Sequence, residues 1–188
     1  MRAKQGKYNI MTRIYTRSGD AGKTGLANAT RIAKSDVLCD AIGDIDETNA
    51  LIGVVRSLNN DSAIDKQLSV IQHKMFDLGA QVAQYKGNLL QNKDIVQLED
   101  WIDAMQENLP PLKQFILPAG NPAGSQCHLA RTTCRRAERK TWQAAGNDGI
   151  GHEIEAEAVQ YLNRLSDYLF VLARTLNDQD EVFWQVGG

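Results

Sequence analysis

The stretch IEAEAVQYLNRLSDYLFVLARTLN, residues 154–177, decides the fold. Its apolar residues recur at steps of three and four, which gives a helix one apolar side and one side of charged and amide groups. The stretch contains neither proline nor glycine, so nothing in it favours a break. We predict a helix from about Gly151 to Asn177. Its apolar side needs partners, so the pattern predicts other helices packed against it.

Four more helices are predicted upstream by the same spacing. All four prolines lie between Pro110 and Pro122, which leaves the rest of the chain free of the strongest helix breaker. Short extended pieces are predicted only at 8–15 and 114–117. The fold class that follows is all-α: a five-helix bundle in a single domain. The signals that delimit the four upstream helices are caps at Ser35/Asp36, caps at Asp61/Ser62, a run from Ile95 to Leu109 ending at Pro110-Pro111, and a run from Ser125 to Gly146.

Composition excludes several classes of protein. The chain has 188 residues, which fits one domain; we interpret residues 1–12 as a flexible N-terminal tail and 13–188 as the domain. A net charge of −2 argues against a nucleic-acid binder driven by bulk charge. No apolar run approaches the length of a membrane helix, about 18 residues. Three cysteines without an export signal favour reduced thiols in a cytoplasmic protein.

A glycine-rich segment near the start is the first candidate for chemistry. It reads TRSGDAGKTG, residues 16–25, and combines three glycines with hydroxyls and cations, which allows close approach to phosphate oxygens. Its ending resembles a Walker A loop, but Arg17 stands where the first glycine of that motif belongs, and no α/β pattern follows. Taken alone, the segment is more typical of a solvated surface loop than of a phosphate site.

A basic stripe is the second candidate. Arg131, Arg135 and Arg139 follow one another at steps of four, so they share one helix face over about 12 Å, a suitable length for a triphosphate. The alternatives are a solvated basic face balanced by carboxylates such as Glu138, or a nucleic-acid contact. Asn163 is a third candidate, because a mid-helix asparagine is unfavourable unless its amide is used, which indicates a buried polar contact or an ordinary interhelical hydrogen bond.

Other kinds of site lack support in the sequence. The histidines have no glutamate three residues upstream, so the ligand pairs of di-iron bundles are missing, and no His/Cys set has zinc spacing. No serine or cysteine comes with a recognisable histidine partner motif either. If the chain is an enzyme, its nucleophile comes from a cofactor or substrate.

Five segments, in this order, resemble one family. The family is the ATP:cob(I)alamin adenosyltransferases of the propanediol-utilisation type, and the resemblance covers about Ile14 to Trp184. It implies a homotrimeric five-helix bundle with active sites between subunits, where the 5′-deoxyadenosyl group of ATP passes to reduced cobalamin and triphosphate is released. The segments are IYTRSGDAG (14–22), GDIDETN (43–49), FILPAG (115–120), CRRAER (134–139) and LNRLSDY (162–168).

The resemblance also implies roles for individual residues. Asp46 and Arg131 correspond to a salt bridge across the subunit interface, and Phe115 to an aromatic residue near the lower face of the corrin ring. With Arg135, these three form the implied catalytic set. Mg²⁺, a reductase and an adenosylcobalamin-dependent enzyme are the implied cofactor and partners. The implied ATP contacts are Thr16, Arg17, Ser18, Gly19, Thr24, Gly25 and Lys34 from one subunit, completed by Arg135, Arg136, Glu138, Arg139 and Asn163.

Two other hypotheses stay open at this point. One is a non-catalytic nucleotide-binding bundle, for example an escort or regulatory protein that keeps the ATP loop but has lost turnover. The presence of Asp46, Arg131 and Phe115 argues against it, since ATP binding alone does not need them. The other is a structural bundle with a basic face, which leaves residues 16–25 without a purpose.

Overall fold

The predicted helical bundle is confirmed. The computed structural model describes residues 14–87, 89–146 and 151–187, and a short 3₁₀ turn at Asp178–Asp180 follows the last helix. Within those residues the helices are α1 Val37–Leu58, α2 Ser62–Val82, α3 Asn92–Gln106, α4 Pro122–Ala145 and α5 Ala156–Asn177. The predicted tail, 1–12, lies outside the described residues. Helix α1 packs against α2 and α4, α5 packs against α4 and α3, and α2 makes a smaller contact with α5.

Local signals place the first two helix starts correctly. The Asp36 carboxylate accepts a hydrogen bond from the backbone N–H of Leu38 at 2.9 Å, and Asp61 accepts one from Ala63 at 2.7 Å. Each carboxylate satisfies a backbone donor that has no partner within the helix. Most of the apolar side of α5 is buried, and two tyrosines, Tyr161 and Tyr168, are among the largest buried side chains.

Two predicted helix boundaries around the prolines are wrong. α3 ends at Gln106 rather than at Leu109, because the next residues form tight turns in which Leu109 donates to the carbonyl of Gln106. α4 begins at Pro122 rather than at Ser125, with Asn121 as its cap. Proline is well suited to the first helical position, since its fixed φ is already helical and its missing N–H is not needed there.

The start of α5 is also later than predicted. Residues 151–155 precede the helix instead of forming its first turn, and Ala156 is the first helical residue. His152 donates its backbone N–H to the carbonyl of Ala144 at 2.8 Å, and its ring Nε2 lies 3.0 Å from a carboxylate oxygen of Asp36. This segment therefore ties the end of α4 to the start of α1.

A small antiparallel hairpin precedes the bundle and was not predicted. β1, Lys23–Gly25, pairs with β2, Arg31–Ala33. Of the predicted extended piece at 8–15, residues 8–13 lie outside the described residues, and Ile14 and Tyr15 are not in a strand. In the piece at 114–117, only Ile116 forms a β-bridge. No helix of the described ranges is long and apolar enough to cross a membrane.

Candidate functional site

The glycine-rich segment, residues 16–25, folds back on the hairpin and is held there by hydrogen bonds from Arg31 of β2. The Arg31 guanidinium donates to the carbonyls of Ser18, at 2.7 Å, and of Lys23, at 3.0 Å. The hydroxyls of Thr16 and Ser18 lie 2.8 Å apart. Arg17 has a φ of 61°, in the left-handed region, and its guanidinium lies over the Tyr15 ring at 5.6 Å. The segment is thus a turn that hydrogen bonds hold in place, and it exposes two hydroxyls and a cation.

Lys34 connects this turn to the bundle. Its backbone N–H donates to the carbonyl of Gly22 at 2.8 Å. Its ammonium lies beside Gly19: a Cβ there would come within 3.1 Å of Lys34 Nζ and would displace the end of this flexible side chain by a few tenths of an ångström. At the far end of the hairpin, Ala27 donates to the carbonyl of Ala83 at 2.8 Å, just after α2. The hairpin is therefore fixed across the ends of α1 and α2.

An open, mainly apolar cavity of about 670 Å³ lies beneath the hairpin. It brings together four of the predicted site residues: Thr24, Gly25, Lys34 and Asp46. Sequence reasoning missed the apolar lining, although Phe76, an exposed aromatic on an amphipathic helix, was a usable signal. Among the described residues its lining comes from the hairpin, α1, α2 and Ala83: Thr24, Gly25, Leu26, Lys34, Cys39, Ile42, Gly43, Ile45, Asp46, Asn49, Met75, Phe76, Gly79, Ala80 and Ala83.

A second set of predicted residues forms a separate surface on α4 and α5. We call Arg135, Glu138, Arg139 and Asn163 the α4–α5 polar face. Asn163 donates to Glu138 Oε1 at 3.2 Å, and Arg139 donates to the backbone carbonyl of Arg135 at 3.1 Å. Asn163 is exposed in the single chain, so of the two alternatives that the sequence left open, the structure shows the interhelical hydrogen bond. None of these four residues lines the cavity under the hairpin.

The two remaining arginines of this region differ in their surroundings. Arg131 is half-buried, and its Nε has no hydrogen-bond partner among the described residues. Burial, and then the neighbouring charge of Arg135, lower the pKa of the Arg131 guanidinium. Arg136 points elsewhere: it forms ion pairs with Asp44, at 3.0 Å, and with Glu47, both on α1. The hydrogen bond to Asp44 is the main cause that raises the pKa of Arg136.

Phe115 lies apart from both sets. Its ring is 77% exposed and contacts the ring of Trp184 edge-on, with centroids 6.2 Å apart. Read without the resemblance, Phe115 would be a core or loop-anchoring residue, and the structure places it outside the core. The single chain thus presents three separate parts: the hairpin with its cavity, the α4–α5 polar face, and an exposed aromatic on a loop.

These parts define a helical-bundle protein whose glycine-rich turn lies beside an apolar cavity. The chain belongs to the cobalamin adenosyltransferase family, whose family model matches residues 14–176. The corrinoid adenosyltransferase of Mycobacterium leprae is 42% identical over 190 residues, which cover 95% of this chain and 98% of that protein. The cobalamin adenosyltransferase of Cupriavidus metallidurans is 41% identical, covering 94% of this chain and 96% of the relative.

Solved structures of the same class share the fold. A variant of the PduO-type ATP:corrinoid adenosyltransferase from Lactobacillus reuteri, complexed with cobalamin and ATP, superposes with a TM-score of 0.85 at 32% identity, covering 92% of this chain and 99% of that one. Another variant of that protein, complexed with ATP, gives a TM-score of 0.84 at 33% identity and covers 92% and 100% of the two chains. The resemblance noted in the sequence motifs is confirmed.

Proposed function

We propose that the chain transfers the 5′-deoxyadenosyl group of ATP to cob(I)alamin, forming adenosylcobalamin and releasing triphosphate. The observation that carries the proposal is the apolar cavity of about 670 Å³ beside the glycine-rich turn. Relatives that share the sequence and the fold are named as corrinoid adenosyltransferases. An apolar cavity with a few polar groups at one edge suits a large flat ligand and a nucleotide side by side.

The chemistry needs positioning and charge stabilisation more than an activated side chain. Cobalt in its +1 state supplies the electron pair that forms the Co–C5′ bond, and the C5′–O bond breaks with its electrons going to the triphosphate. Lys34 and the turn at residues 16–25 would hold ATP from one subunit. The α4–α5 polar face of a neighbour would stabilise the departing charge, with Arg135 as its central cation.

The resemblance implies a homotrimer, and the separation of these parts supports a site that is shared between chains. The cavity and the α4–α5 polar face lie on different surfaces of one chain, so one complete site requires two chains. The Arg131 side chain is half-buried, and its buried Nε has no partner among the described residues, whereas the carboxylate of Asp46 is exposed; both features support an ion pair between subunits. Such a pair would satisfy a guanidinium that burial otherwise leaves without a partner. Phe115 would exclude an axial ligand from the lower face of the corrin ring.

The residues also fit Mg²⁺ that arrives with ATP. Within the described ranges no three His, Cys, Asp or Glu side chains cluster as a metal site, whereas the hydroxyls of Thr16 and Ser18, two of the implied ATP contacts, lie together. Mg²⁺ commonly binds substrate phosphates and keeps several waters, so it needs few protein ligands. The ion would neutralise part of the triphosphate charge when bound.

The cellular setting is proposed on chemical grounds. Cys39, Cys127 and Cys134 are free thiols, which agrees with a reducing cytoplasm. There a reductase would supply cobalamin in its reduced state, and an adenosylcobalamin-dependent enzyme would use the product.

The test is a spectroscopic assay with a matched pair of variants. The protein is mixed with ATP, Mg²⁺ and chemically reduced cobalamin, and the corrin absorbance is followed. Arg135→Ala should lower kcat by about 10²–10³, the usual cost of losing one donor to a developing charge. Lys140→Ala is the control, since this residue is on the same helix but pairs with Asp40 at 3.2 Å. Binding of both ligands without any spectral change would instead identify an escort or regulatory protein.

A further inference from the structure

The C-terminal segment pairs with the loop that carries Phe115. Trp184 donates its backbone N–H to the carbonyl of Phe115 at 2.8 Å, and Leu117 donates to the carbonyl of Val182 at 2.7 Å. Between them, Ile116 and Phe183 form an antiparallel β-bridge. We call residues 182–184 the strap. It fixes the backbone immediately before and after Ile116, in a loop that has no helix of its own.

The Phe115 ring depends on the same segment. It is 77% exposed, and its aromatic partner in the described residues is Trp184, edge-on at 6.2 Å. Edge-to-face aromatic pairs attract each other beyond the effect of the area they bury. An exposed phenylalanine on a loop otherwise moves between rotamers freely. Trp184 therefore restricts both the backbone and the ring of Phe115.

The strap is itself anchored through α5. Isolated two-stranded pairings are marginally stable in water, so a pairing as short as this needs support at its ends. Arg174 is 6% exposed; its Nε donates to Glu181 Oε1 at 2.7 Å, and its Nη2 donates to the carbonyl of Pro110 at 2.9 Å. A single buried guanidinium thus joins the residue before the strap to the beginning of the Phe115 loop.

From these contacts we infer that Trp184 is a positioning residue for Phe115, and that the strap sets how well the ring shields the lower face of the corrinoid. The inference rests on the proposed function, because it concerns the step that Phe115 serves. Shielding matters when cobalt(II) must lose its lower axial ligand before reduction. It matters far less once cobalt(I) has formed, since that state holds no lower ligand strongly.

The experiment compares two starting states of cobalamin. Trp184→Ala should lower the adenosylation rate from cobalt(II) with a reductant by about tenfold, and leave the rate from preformed cobalt(I) within about twofold of the unmodified chain. Trp184→Phe should restore most of the loss, because the ring contact is retained. Val186→Ala is the matched control: this residue is two positions further along and 84% exposed.

A double variant separates positioning from direct contact. If Trp184 acts through Phe115, adding Trp184→Ala to Phe115→Ala should change the cobalt(II) rate no further. Additive losses would mean that Trp184 acts on the corrinoid itself and would overturn the inference. So would equal losses from both cobalt states, or an unchanged cobalt(II) rate in a folded Trp184→Ala chain. Absence of adenosylation in the unmodified protein refutes the proposed function instead, which keeps the two failures distinct.

Discussion

Asn177, the last residue of α5, offers a stability prediction that can be worked from its contacts. Its side chain is 2% exposed. Its Oδ1 accepts from the backbone N–H of Asn121 at 3.1 Å, and its Nδ2 donates to the carbonyl of Ala119 at 2.9 Å. A Cβ on Gly124 would overlap this amide, so helix α4 approaches it as closely as glycine allows. Asn177 thus fixes the loop that enters α4.

Asn177→Ala removes both hydrogen bonds. Each bond contributes about 1 kcal/mol net, and the freed groups on Ala119 and Asn121 are half-buried, so water reaches them in part. The expected loss in the free energy of unfolding is about 2 kcal/mol. With a urea m-value of about 2 kcal/mol per M, the midpoint should fall by about 1 M.

The control is Asn163→Ala, which makes the same asparagine-to-alanine change elsewhere on α5. Asn163 is exposed and makes one hydrogen bond, to Glu138, so Asn163→Ala should change stability by less than about 0.5 kcal/mol. Both variants are unfolded in urea at one protein concentration, because the stability of an oligomer depends on concentration. Equal midpoints for the two variants would refute the reasoning, whereas a changed m-value would point to an altered unfolded state.

Two further predictions concern buried titratable groups. Burial is the main cause that lowers the pKa of His128 below its ordinary 6.5, so just below pH 6.5 the unfolded chain binds a proton that the folded chain does not. The free energy of unfolding should therefore fall as the pH drops below 6.5. In His128→Gln this fall should be smaller. Parallel pH profiles for the two proteins, measured by urea unfolding, would contradict this. Burial is the main cause that raises the pKa of all three thiols, but Cys127 and Cys134 are fully buried whereas Cys39 is only half-buried. A thiol reagent should therefore modify Cys39 alone in the folded chain and all three thiols in urea. Cys39→Ser should abolish the native reaction, and labelling that persists would show that a buried thiol is reached.

Local signals explain which parts of the fold were predictable. Asp36 and Asp61 mark helix starts because a capping carboxylate acts on donors two or three residues away, and both predictions are confirmed. The prolines marked the breaks but not the first and last helical residues, since Pro122 is compatible with a first turn as well as with a loop. The hairpin was missed because three-residue strands are too short to show an alternating pattern.

The sequence predicted which residues belong to the candidate site, but not how they are arranged in space. The arginine spacing on α4 predicted a face shared by Arg131, Arg135 and Arg139. Arg136, which the resemblance implies as an ATP contact, instead donates to Asp44 on α1, a partner 92 residues away that no local pattern indicates. The apolar cavity depends on how α1 and α2 meet the hairpin, which is a tertiary property. The strap could not be predicted from the sequence either, because its pairing with Ile116 joins distant segments of the chain.

The separation of the two predicted ATP surfaces also bears on the symmetry of the assembly. If the hairpin and cavity of one chain meet the α4–α5 polar face of the next, each chain uses two different surfaces, one for each neighbour. Such head-to-tail contacts do not form the two-fold dimer in which both chains present the same patch; when they close, they form a ring. In the ring, the pairing of Asp46 with Arg131 recurs at every interface, and every interface holds one complete site. The proposed homotrimer is the ring that the resemblance implies, and it leaves no hairpin and no polar face without a partner.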